Sequence, residues 1–279
     1  VAVFLAVMFT QVAFLGHDAG HRQIFATRRA NRVLGLLVGN LLIGLSYGWW
    51  VDKHNRHHAH PNQEGRDPDI GDGAIAFTAA QAGARRSPLS RFLARHQAAT
   101  FFPLLLLEGL NLHVASVRDL VARSERRGTK RVEAVLLGVH AVVYLGALAW
   151  VLSPLQALAF VAVQQGFFGV YMGCSFAPNH KGMPILAHDD ARDYLRRQVL
   201  TARNVRGGRL VDFALGGLNY QIEHHLFPSL PRPSLRRAQP LIRAYCASNG
   251  LTYGETTLLG SYAQVLRHLH TVGRAARDG

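Results

Sequence analysis

The sequence predicts an all-α integral membrane protein, with spanning helices and in-plane or re-entrant helices lying under a cytoplasmic, histidine-rich helical cap. Three observations predict it. Apolar residues make up 49% of the 279 and charged ones only 17%, and mean hydropathy is just above zero, which fits a membrane protein with substantial polar loops. Several apolar runs approach or reach the roughly 20 residues that a bilayer core requires. The 31 Lys and Arg outnumber the 17 Asp and Glu, for a net charge of +14, and they gather beside those runs as the positive-inside rule places them. Such an excess can also serve nucleic acid or anionic lipid, but charge placed next to apolar segments needs no nucleic-acid partner.

The elements follow in order. The first sixteen residues are apolar and begin without a methionine, so they read as the later part of a spanning helix in an N-terminally truncated chain. No basic n-region or cleavage site of a signal peptide is visible. Residues 33–50 and 97–117 have basic residues on both sides and carry Asn40, Pro103, Glu108 and Asn111 internally. A segment held cytoplasmic at both ends should not cross, so in-plane or re-entrant helices are expected, although the length of 97–117 also permits an ordinary span. Residues 132–152 and 155–176 form a spanning hairpin about Ser153-Pro154. Arg118, Arg123, Arg126, Arg127, Lys130 and Arg131 precede it and Asn179-His180-Lys181 follow it, which puts His180 on the cytoplasmic side. Beyond residue 231 the chain turns polar, and Arg232–Ser248 and Thr257–His270 read as amphipathic helices that cover the cytoplasmic part or dock a partner. Two cysteines, Cys174 and Cys246, suggest neither a disulfide framework nor a cysteine metal site.

The chemistry lies in four separated segments: His17-Asp-Ala-Gly-His21, His54-Asn-Arg-His57-His58, Asn179-His180, and Gln221-Ile-Glu-His224-His225. Spacings of three and four put imidazoles on one helix face, and the expected topology brings all four segments to one side of the membrane. Eight histidines are ligand enough for two metal ions. Imidazole suits zinc, copper, iron and nickel alike, but eight exceed a single four-coordinate zinc site. Gln221 offers a weaker, neutral oxygen. His180, alone at a helix end, is a ligand or a C-terminal helix partner. Asp18, Asp67, Asp69 and Asp212 are equal candidates to orient an imidazole. His60 is a neighbour of its cluster, and His140 needs a hydrogen bond within the bundle. Trp49 and Trp50 either wall the site or anchor at the interface. Arg192, Arg196, Arg197, Arg203, Arg206 and Arg209 face anionic lipid or grip phosphates.

At these residues the chain resembles the membrane-bound fatty acid desaturases. The likeness rests on His17-x-x-x-His21, on Trp49-Trp50-Val-Asp-Lys-His54-Asn-Arg-His57-His58 followed by Pro61-Asn62, and on Gly216-Gly217-Leu-Asn-Tyr-Gln221-Ile-Glu-His224-His225-Leu-Phe-Pro228. Glutamine opening the third box is similar to the front-end and linoleoyl-CoA-type branch and to actinobacterial acyl-CoA desaturases. The resemblance implies a single fatty acid desaturase domain over residues 1–279 with a di-iron centre held by His17, His21, His54, His57, His58, His180, His224 and His225. It also implies dioxygen as co-substrate and insertion of a cis double bond into a fatty acyl-CoA or acyl-lipid. Many front-end members carry a fused cytochrome b5 domain with a His-Pro-Gly-Gly motif, which is absent from these residues. Electrons then come from a separate ferredoxin, cytochrome b5 or flavin reductase type of protein, unless residues before Val1 supply that domain. Two alternatives stand beside this reading. One is a hydroxylase of the same superfamily; the other is a membrane metal transporter or metal-binding protein, and against transport stands the placement of the clusters at helix ends rather than along a mid-membrane path.

Overall fold

The computed structural model describes residues 1–122 and 127–275. Arg123 and Arg126, read above as setting topology, lie outside the described residues. The chain forms two compact units, residues 1–54 with 105–173, and residues 55–104 with 174–279.

The first unit carries most of the apolar helices. Ala2–Gly20, Thr129–Val151 and Pro154–His180 are long and apolar enough to cross a membrane. The expected hairpin is present, with Tyr144 Oη donating to Gln164 Oε1 at 3.3 Å across it. Val135, Val142, Val143, Leu145 and Trp150 are all exposed on its first arm, and a helix with bare apolar side chains all round is one whose solvent is lipid.

Residues 33–50 do not form a straight span. Thr27 caps the helix Arg28–Leu36 by accepting from Ala30 N, a π-helical turn Leu37–Leu42 follows, and the chain then bends by 115° into the helix Tyr47–Ala59. Gly44 makes the bend. Its φ is +72°, and an added Cβ would lie 2.6 Å from the His140 ring, so both backbone and space require glycine. Asn40 Oδ1 accepts from Tyr47 N at 3.1 Å, and Ser46 Oγ donates to Glu133 at 2.6 Å. Ser46 N donates to Ser116 Oγ at 3.1 Å and Gly48 N to Glu133 Oε2 at 3.0 Å, so the backbone groups freed by the bend find side-chain partners. His140 Nδ1 is 2.9 Å from Leu41 O, the hydrogen bond expected of a histidine within the bundle.

Residues 97–117 likewise are not one continuous helix: they divide into Gln97–Leu105 and Glu108–Val121. Gly169 lies against the break, where a Cβ would stand 2.3 Å from Leu105 O.

The second unit is mostly helical. Its helix Arg232–Ser248 buries Leu235 and Cys246, and Leu258–Ala275 buries Ser261, Val265, Leu269 and Val272, one side chain per turn. Val199, Ala202, Ile222, Leu226 and Cys246 form one core cluster. Two three-residue strands, Asn204–Arg206 and Glu255–Thr257, pair in parallel. They are too short to show a period-two pattern, and the sequence reading missed them.

Candidate metal centre

In the first unit, His17 and His21 stand on adjacent turns at the end of Ala2–Gly20, with His21 as the residue that ends the helix. His54 projects from Tyr47–Ala59. Their ligand nitrogens lie within 4.8 Å of one another, and His54 Nε2 is 2.9 Å from His21 Nε2. Trp50, one turn before His54, stacks on its ring at 4.5 Å between centroids and lies 5.5 Å from that of His17. Gly20 makes room for it, since a Cβ there would meet the indole at 2.5 Å. Trp50 therefore walls this group. Asp18 Oδ1 is 3.6 Å from His17 Nδ1, beyond hydrogen-bond length.

In the second unit, His57, His180 and His225 bring ligand nitrogens within 4.8 Å of one another, and all three are buried. Their outer nitrogens are each engaged. His57 Nδ1 lies 3.0 Å from both Asp67 oxygens, His180 Nδ1 lies 3.0 Å from Thr201 O, and His225 Nδ1 lies 2.9 Å from Gln198 Oε1. Gln198 Nε2 donates to His58 O at 2.8 Å, which leaves Oε1 as the acceptor. Three acceptors thus fix the proton of each ring on Nδ1 and leave Nε2 as the ligand atom. His180 Nε2 and His225 Nε2 face one another at 3.0 Å. Burial, followed by the neighbouring His58 and His180, holds His225 well below the ordinary imidazole range, so a proton is a poor guest here. A dry set of converging imidazoles matches the donor set of a transition-metal site.

The other expected residues are close by. His58 stacks on His225 with centroids 4.2 Å apart, and His224 meets His58 edge-on at 4.8 Å. Gln221 Nε2 lies 2.9 Å from His180 Nε2, while its Oε1 accepts from Asn179 Nδ2 at 3.2 Å. The short helix Gln221–Leu226 that carries these residues is fully buried and is locked from below. Asn204 Oδ1 accepts from Ile222 N at 2.9 Å, and Glu223 accepts from Asn204 Nδ2 at 2.6 Å and Tyr253 Oη at 2.7 Å. Burial raises the Glu223 carboxyl above the usual carboxylate range.

Asp67 separates itself from the other three carboxylates. It touches His57 and also accepts from Asn62 N and Asp69 N at 2.7 and 2.8 Å. Asp69 lies 3.5 Å from His57 Nδ1, while Asp212 serves Asn219 and Tyr220. Asn62 holds a left-handed φ of 52° and donates Nδ2 to His180 O at 3.0 Å, tying the loop after the second box to the end of the span. His60 is a neighbour, as expected, bonded to Gln63 and Arg197.

Arg203 corrects an expectation. It is 1% exposed and faces neither lipid nor phosphate. Its guanidinium donates to Pro178 O at 2.6 Å, Ser261 Oγ at 3.0 Å and Gln264 Oε1 at 2.8 Å, and also to Lys181 O. Those carbonyls flank His180 at the end of its helix, where a cation suits the helix dipole. Sequence reasoning missed this role because an arginine in a basic stretch gives no sign that it is buried.

The profile of the fatty acid desaturase family matches residues 1–257. Among similar curated proteins, an acyl-lipid (9-3)-desaturase of Physcomitrium patens is 31% identical over 99% of this chain and 54% of its own length. A Delta(5) fatty acid desaturase of Caenorhabditis elegans is 33% identical over 90% of this chain and 58% of its own. A Delta(8)-fatty-acid desaturase of Euglena gracilis is 33% identical, over 99% and 68%. The chain thus spans little more than half the length of the first two relatives. With the three boxes and their geometry in place, the chain belongs to the fatty acid desaturase family.

Proposed function

We propose that this protein is an O2-dependent oxidoreductase that inserts a cis double bond into a fatty acyl chain carried as an acyl-lipid or acyl-CoA, and that it holds two iron ions, one at each histidine group. The carrying observation is the second group, where Asp67, Thr201 and Gln198 engage Nδ1 of His57, His180 and His225 and the three rings bring their ligand nitrogens within 4.8 Å of one another. His58 and Gln221 lie beside that group, and His17, His21 and His54 form the other. Iron supplies, when bound, the oxygen-activating redox chemistry that an unactivated methylene demands, since no side-chain base can remove hydrogen from it.

The chain's own work is positioning. Buried acceptors keep each ring in one tautomer and one orientation, Trp50 closes one side of the first group, and the apolar helices give an alkyl chain its surroundings. The basic flanks of the hairpin put the histidine groups on the cytoplasmic side, within reach of a separate electron-transfer protein.

Expression in a host lacking unsaturated acyl chains, with mass analysis of the lipids, tests the activity, and metal analysis of purified protein tests the site. The expected results are a new cis alkene and close to two irons per chain. His57→Ala should abolish the product while the protein stays in the membrane. A hydroxylated chain would move the reading to a hydroxylase, and one zinc without iron would overturn it.

A further inference from the structure

A pocket of about 320 Å3 in the first unit is lined by residues that the histidine chemistry does not use. Gly20, in the last turn of Ala2–Gly20, and Thr129 and Glu133, in the first turns of Thr129–Val151, stand on its wall. Two candidate spans therefore end at this pocket, which sets it at the level of phospholipid head groups.

Its polar groups are of both signs. Arg22, Arg28 and Arg32 line it together with the carboxylates of Asp52 and Glu133. Arg32 is positioned by a 2.8 Å bond from Nη2 to Thr129 Oγ1. Arg22 follows the helix end with a φ of +60°, its N–H donating to Ala19 O at 3.1 Å. Glycine would hold that backbone without strain, so the site carries a guanidinium where a side chain is disfavoured.

Glu133 is the more telling residue. It is fully buried, and its Oε2 accepts from Ser46 Oγ at 2.6 Å, Gly48 N at 3.0 Å and Asn40 Nδ2 at 3.4 Å. Its Oε1 has no hydrogen-bond partner among the described residues. A buried carboxylate oxygen left unmet is costly, and Glu133 is among the residues on the pocket wall. Exposed arginines alone would make a general contact with anionic lipid. A buried carboxylate beside them asks for a ligand with a phosphate and a cation.

We infer that this pocket seats the head group of an amine-bearing phospholipid, with the phosphate on Arg22, Arg28 and Arg32 and the ammonium on Glu133 Oε1 and Asp52. Coenzyme A brings phosphates but no cation, so it would leave Glu133 unmet and set further negative charge beside it. That the seated lipid is also the carrier of the acyl chain to be desaturated rests on the proposed function.

The test is a titration by native mass spectrometry of delipidated full-length protein in detergent, with dioctanoyl phosphatidylethanolamine, dioctanoyl phosphatidylglycerol and coenzyme A as probes. Phosphatidylethanolamine should bind at least about tenfold more tightly than either other probe, as a desolvated ion pair would require. The double variant Arg28→Ala/Arg32→Ala should lose about tenfold or more in that affinity. Arg22→Gly should weaken binding while leaving the melting temperature unchanged or higher, because it relieves the backbone. Glu133→Gln should erase the preference for phosphatidylethanolamine over phosphatidylglycerol; should it not fold, the arginine variants decide. Equal binding of the three probes, arginine variants that bind like the parent, or displacement of the lipid by coenzyme A would overturn the inference. Selective lipid binding without a new double bond in any acyl chain would sustain the site and count against desaturation. A double bond formed in acyl-CoA chains alone would sustain desaturation and overturn the seated lipid as carrier of the acyl chain.

Discussion

Asp67 holds three groups at once: the His57 ring and the backbone N–H groups of Asn62 and Asp69. Asp67→Asn keeps the shape but loses the charge and one acceptor oxygen, so His57 is less firmly oriented and less basic. Loss of an outer carboxylate partner of this kind typically weakens metal binding by about 10- to 100-fold, and iron retained after dialysis against a weak chelator should fall accordingly, with little change in membrane insertion. Seven of the eight expected histidines stood out in the sequence because helical spacing of three and four is a local property, and His180 stood alone. Their partners did not stand out. Thr201 and Gln198 reach His180 and His225 only through the fold, and four carboxylates looked equivalent until one of them touched a ring.

At the scale of elements, the 115° bend after Leu42 depends on one glycine. Gly44→Ala must either strain a positive φ or push its Cβ against the His140 ring, at a cost of about 1–3 kcal/mol in strain alone. Thermal unfolding in detergent should shift down by roughly 2–4 °C for each kcal/mol lost in a chain of this size. Basic residues on both flanks gave notice that 33–50 would not cross as a straight helix. The position of the break was harder to see, since it comes from Gly44 together with Asn40 and Ser46, whose partners lie elsewhere in the chain. The amphipathic helix over 232–248 was legible to the residue from its periodicity, whereas the strand pair beside it depends on residues some 50 positions apart meeting.

For the molecule as a whole, composition and charge placement were enough to indicate a membrane protein built of helices, because both are sums over the chain. The interleaving of the two units was not legible, since each is assembled from two separated stretches. The Arg203 guanidinium has a consequence at this scale. The family profile ends at residue 257, yet Ser261 and Gln264, which hold Arg203, lie beyond it, as do Tyr262, whose hydroxyl donates to Cys174 O at 2.6 Å, and Leu269, whose carbonyl accepts from Gln97. A chain truncated after Thr257 keeps every histidine of the three boxes, but the carbonyls around His180 lose their brace and a buried cation loses two of its acceptors. Such a truncated protein should reach the membrane and be recovered with less than about half the normal iron, as expected when outer partners of metal ligands are removed. The C-terminal helix, which supplies no ligand, would then prove to be the clamp that keeps the metal from leaking away.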